Sequence, residues 1–72
     1  MSESVTVTPV VPGPFRVKPE SIFRVEAAGE RVATLFRVGD ARWEVCVEAD
    51  GRSYRDAGTA DEVGRRAALV SA

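Results

Sequence analysis

From Ile22 to Arg55 apolar and polar side chains alternate nearly one by one, the pattern of strands with one buried and one wetted face. Three dipeptides punctuate the alternation: Ala28-Gly29, Gly39-Asp40 and Asp50-Gly51. Asp-Gly favours a two-residue hairpin turn, because type I′ needs positive φ at both central positions. Gly39 suits the first position of type II′, whereas Ala28 resists positive φ, so a longer loop through Glu30 competes there. Taken as two-residue turns, they set Val25 opposite Val32, Phe23 opposite Thr34, Phe36 opposite Trp43, Thr34 opposite Val45, and Val47 opposite Tyr54. One face then collects Phe23, Val25, Val32, Thr34, Phe36, Trp43, Val45, Val47 and Tyr54. The other holds Ile22, Arg24, Glu26, Ala33, Leu35, Arg37, Arg42, Glu44, Cys46, Glu48, Ser53 and Arg55. A slip of one residue in any pairing would exchange the two sets of that strand.

At Thr59 the period changes. Thr59-Ala60-Asp61-Glu62 is a capping box, with Asp61 placed where the helix dipole favours negative charge. Ala60, Val63, Ala67 and Val70 follow at helical spacing and predict a helix over 60–70 with one apolar stripe. Gly64 costs that helix about 1 kcal/mol relative to alanine, and in return permits close approach to a sheet. So short a helix holds only by packing.

The first 19 residues differ in character. Val5 to Thr8 alternates, but Pro9, Pro12, Pro14 and Pro19 exclude a central strand. An extended arm is expected, pairing through Val5 to Val11 along a sheet edge, with a turn at Pro12-Gly13-Pro14 and one more short strand marked by Phe15. The predicted architecture is α+β: an antiparallel three- to four-stranded β-meander with one C-terminal helix packed on one face. Residues 1–19 form the Pro-rich arm and 20–72 a single domain. Helix–β-hairpin–helix is the alternative, since Ile22, Val25, Gly29, Val32 and Phe36 also fall at helical spacing. Gly29 and the many β-branched residues weigh against it.

Composition narrows the functions. The chain has 72 residues, ten Lys/Arg against eleven Asp/Glu, no histidine and one cysteine. That suffices for one domain. Near-zero net charge disfavours non-specific binding to nucleic acid or anionic lipid. Without histidine the commonest neutral-pH base and metal ligand is missing, and Cys46 alone makes neither a disulfide nor a zinc site. The hydroxyls of Ser21, Ser53 and Thr59 have no histidine to activate them, and the glycines form no phosphate loop. No catalytic residue, cofactor or metal is therefore expected, and the chain is read as a non-enzymatic protein. No signal peptide or membrane span is discernible, and a lone cysteine fits a reducing, cytoplasmic setting.

The uncovered sheet face mixes apolar side chains with arginine and glutamate, a surface suited to association. Arg24, Leu35, Arg37, Arg42, Glu44 and Cys46 are the candidate contact residues. The expected partner is another protein or a second copy, for a small regulator, inhibitor or accessory subunit. A DNA-binding module using Arg24, Arg37 and Arg42 is the alternative, with Glu26, Glu44 and Glu48 on the same face opposing phosphate. Arg37 directly opposes Arg42 in this register, a destabilising pairing that calls for an anion or for a local error of register.

Overall fold

The structure, a computed structural model, describes residues 4–10 and 21–71. Five strands, β1 (Val5–Pro9), β2 (Ile22–Ala27), β3 (Glu30–Gly39), β4 (Arg42–Val47) and β5 (Ser53–Ala57), precede one helix, α1 (Ala60–Ser71). The strands pair antiparallel in chain order, β1-β2-β3-β4-β5, and α1 packs on one face. The α+β meander expected from the alternation is present, with one more strand than the upper estimate. Val5 to Pro9 supplies it, pairing with β2 as an edge strand from Val5↔Ala27 to Pro9↔Phe23. Residues 22–27 and 30–39 are strands, which excludes the helix–hairpin–helix alternative. The Pro12-Gly13-Pro14 turn and a strand at Phe15 lie outside the described residues.

Register departs from expectation along β3 and again at the third loop. The first turn sits at Ala28-Gly29, both with positive φ (54° and 82°), and gives Glu26↔Arg31 as its geometry dictates. A bulge at Val32 then shifts the pairing to Val25↔Ala33, Phe23↔Leu35 and Ile22↔Phe36. The second turn lies one residue later than expected, at Asp40-Ala41, with Ala41 at φ 53°. A second bulge, at Val38, separates Gly39↔Arg42 from Arg37↔Trp43, Leu35↔Val45 and Ala33↔Val47. An inserted residue reverses the side-chain alternation beyond it. The middle of β3 is thus inverted relative to the simple hairpin register: Ala33, Leu35 and Arg37 face the helix, while Thr34 and Phe36 face away. The third loop is longer than two residues, with Gly51 N–H donating to the Val47 carbonyl and Cys46 opposite Ser53 rather than Arg55. That change is by two residues, so β5 keeps its faces and Tyr54 remains on the helix side, opposite Val45.

The core lies between the sheet and α1. Val25, Ala33, Leu35, Trp43, Val45, Val47, Val63, Ala67 and Ala68 are buried there, and Val5, Val7, Phe23, Val32, Tyr54 and Ala60 pack around them. Trp43 anchors it. Its Nε1–H donates to the Gly58 carbonyl at 2.9 Å, Phe23 meets its ring edge-on at 5.4 Å, and the Arg37 guanidinium lies 4.6 Å from its centroid. The capping box forms reciprocally: Glu62 N–H donates to Thr59 Oγ1 at 3.1 Å, and Thr59 N–H to Glu62 Oε1 at 3.0 Å. The helix buries Val63, Gly64, Ala67 and Ala68, so its contact stripe is rotated from the expected one and leaves Val70 exposed. Gly64 accounts for the rotation. A Cβ there would overlap Val7 Cγ2 and stand 3.3 Å from Val25 Cγ2, so only glycine lets α1 settle against β1 and β2.

Candidate functional site

α1 covers one face of the sheet and leaves the other without a helix. Pairing across β2 to β5 aligns Ile22, Phe36, Glu44 and Arg55 in one row, and Arg24, Thr34, Cys46 and Ser53 in the next, which Thr8 of β1 extends. Phe36 is the largest apolar side chain of this face, 37% exposed, beside half-buried Ile22 and Cys46. Charges surround it in matched pairs. Arg24 Nε lies 3.5 Å from Glu26 Oε1, and Arg55 Nε 3.5 Å from Glu44 Oε1. At one end of the face Val38, Arg42, Arg55, Asp56 and Ala57 line an open hollow of about 410 Å³. Among the described residues no acidic side chain forms an ion pair with Arg42.

Of the residues expected to make contacts, Arg24, Glu44 and Cys46 do share this face, and Arg42 stands at its end. Leu35 and Arg37 do not. Leu35 is fully buried between Phe23 and Val45, and Arg37 lies over Trp43 on the helix side. The bulges at Val32 and Val38 moved both. Arg37 consequently faces Trp43 rather than Arg42, which removes the like-charge conflict. Phe36 and Thr34 take the vacated places. The signal for them was that conflict itself, together with a leucine assigned to solvent while a threonine was assigned to the core.

The helix side carries the perturbed titrations. Arg66 bridges α1 to β5, donating from Nε to Asp56 Oδ2 at 2.9 Å and from Nη2 to the Ala57 carbonyl at 2.7 Å. The hydrogen bond from Arg66 holds the Asp56 carboxyl below the usual carboxylate range, and the Ala57 N–H adds to the effect. The Thr59 backbone N–H lowers Glu62 in the same manner. Burial raises the Tyr54 hydroxyl above its ordinary value, with Asp56 as the second cause. Each shift belongs to a cap or an edge contact and none to a cleft with a nucleophile. Among the described residues, no three His, Cys, Asp or Glu side chains converge as metal ligands would. No described helix is long and apolar enough to cross a membrane. No family model, curated protein or solved structure matches this chain.

Proposed function

We propose that the protein is a small non-enzymatic binding module that engages a protein partner through the helix-free face of its sheet. The supporting observation is Phe36, an exposed ring ringed by half-buried apolar neighbours and charges on the face that no helix covers. An apolar centre with a polar rim is the anatomy of a protein-binding patch. The partner that fits presents an apolar side chain to Phe36 and Ile22 and a carboxylate to Arg42. Duplex DNA fits less well. Of the three arginines considered for it, Arg37 lies on the other face and Arg24 is matched by Glu26, which leaves Arg42.

A photo-crosslinking residue at Thr34, in cells of the native host, tests this. Thr34 sits beside Phe36 on the exposed face, and the expected result is a discrete adduct that Phe36→Glu and Arg42→Glu each abolish. If both variants fold and retain the adduct, or if crosslinks form only with nucleic acid, the face does not serve this purpose.

A further inference from the structure

β5 is an edge of the sheet. Its ladder to β4 is bounded by Val47 N–H donating to the Arg52 carbonyl at 2.8 Å and Gly58 N–H donating to the Ala41 carbonyl at 2.9 Å. Antiparallel alternation therefore turns the backbone N–H and C=O of Tyr54 and Asp56 toward β4, and those of Ser53, Arg55 and Ala57 outward. Ala57 is already satisfied: its N–H donates to Asp56 Oδ1 at 2.8 Å and its carbonyl accepts from Arg66 Nη2 at 2.7 Å. Nothing among the described residues pairs with the outward groups of Ser53 and Arg55. The strand is short and carries Arg55 and Asp56, but contains no proline and no bulge, the protections that would block backbone pairing outright. α1 lies mainly over the other four strands and reaches this edge through Arg66 at Ala57, which leaves Ser53 and Arg55 unshielded.

We infer that β5 pairs antiparallel with β5 of a second copy of this chain, about a two-fold axis at Tyr54. The register follows from what is available. Pairing Ser53 with Arg55 of the second copy, and Arg55 with its Ser53, lets each pair exchange both N–H···O bonds and leaves Ala57 undisturbed. The same register sets Arg52 opposite the second copy's Asp56 on the helix side, where it adds a second cation to the carboxylate that Arg66 already holds, repeated by symmetry. Arg52 reaches that place by exchanging an exposed ion pair with Asp50 (3.6 Å, its own side chain 85% exposed), which contributes little in water. Tyr54 meets its own copy at the axis, bordering an open hollow of about 400 Å³ lined in part by Val47 and Val70, with room for the second ring. Sliding the register one way sets Arg55 against Arg55 and requires the occupied groups of Ala57. Sliding it the other way replaces the Arg52–Asp56 pairs with Arg52 against Tyr54. The five strands of each copy become one continuous ten-stranded sheet with both helices on one side. Both Phe36 faces then lie together on the other side.

Sedimentation equilibrium of the full chain tests this directly. The expected mass is twice 7.8 kDa at high concentration. Arg52→Glu, which sets glutamate against Asp56, should raise the dissociation constant at least about tenfold. Arg55→Pro removes an outward N–H while sparing the ladder to β4, and should leave a monomer with an unchanged circular dichroism spectrum. Should Arg55→Pro unfold, Arg52→Glu decides. A wild-type chain still monomeric at about 1 mM, or a dimer that Arg52→Glu does not weaken, would overturn the inference.

Discussion

Gly64→Ala is the sharpest test of how the helix meets the sheet. On propensity alone it should stabilise, because alanine in a helix interior is about 1 kcal/mol better than glycine. The structure predicts the opposite sign. The new Cβ would overlap Val7 Cγ2, with Val7 Cγ1 at 3.2 Å and Val25 Cγ2 at 3.3 Å. Val7 is β-branched and stiff at χ1, and turning it brings its second methyl into the same space. Val25 is fully buried and cannot yield, so either β1 or α1 must move. Overpacking of this kind costs about 1–3 kcal/mol, which leaves a net loss of about 1 kcal/mol after the propensity gain. For a domain of this size that corresponds to a fall in Tm of about 4–8 °C. Urea and thermal unfolding of Gly64→Ala, Val7→Ala and the double variant close a cycle. The double variant should be more stable than the sum of the single losses predicts, since each substitution relieves the other's fault. An increase in Tm for Gly64→Ala alone would refute the close contact.

Leu35→Ala should cost about 2–5 kcal/mol in urea unfolding, while Phe36→Ala, on the exposed face, should cost clearly less; the reverse order would restore the simple hairpin register. Ala41→Gly should stabilise by about 1 kcal/mol, as it relieves a left-handed alanine, and a loss in thermal unfolding would argue against the Asp40-Ala41 turn. The lowered folded pKa of Asp56 makes the Arg66 pair a source of stability that is full above the unfolded aspartate value of about 4. It is lost as pH falls through the lower folded value. Asp56→Asn should flatten the decline in stability between neutral and acid pH, and an identical pH profile would contradict it.

How much the sequence disclosed depends on which physical cue was local. The capping box at Thr59 and Glu62, the close approach at Gly64 and the turn at Ala28-Gly29 each rest on a few adjacent residues, and each stands where the residues placed it. The faces of β2, β4 and β5 were legible for a related reason: alternation is a property of one strand, and the change at the third loop, being even, did not disturb it. β3 was not legible. Val32 and Val38 resemble ordinary strand residues, and what makes them bulges is the demand of Leu35 for a buried place between Phe23 and Val45, and of Ala33 for one between Val25 and Val47. That demand is tertiary. It moved two of the expected contact residues, Leu35 into the core and Arg37 to the helix side over Trp43, and replaced them with Phe36 and Thr34. Its visible traces were the Arg37–Arg42 opposition and a leucine left to solvent while a threonine took a core place.

The paired bulges also set where the chain tolerates a change of length. Loss of Val32 or Val38 would convert a bulge to regular ladder and leave Leu35 inside. Loss of Thr34, between them, would turn one side of β3 over and bring a polar or charged residue against Trp43 or Val25. Insertions and deletions in this strand should therefore concentrate at its two ends, beside the turns, and the stretch from Ala33 to Arg37 should keep its count.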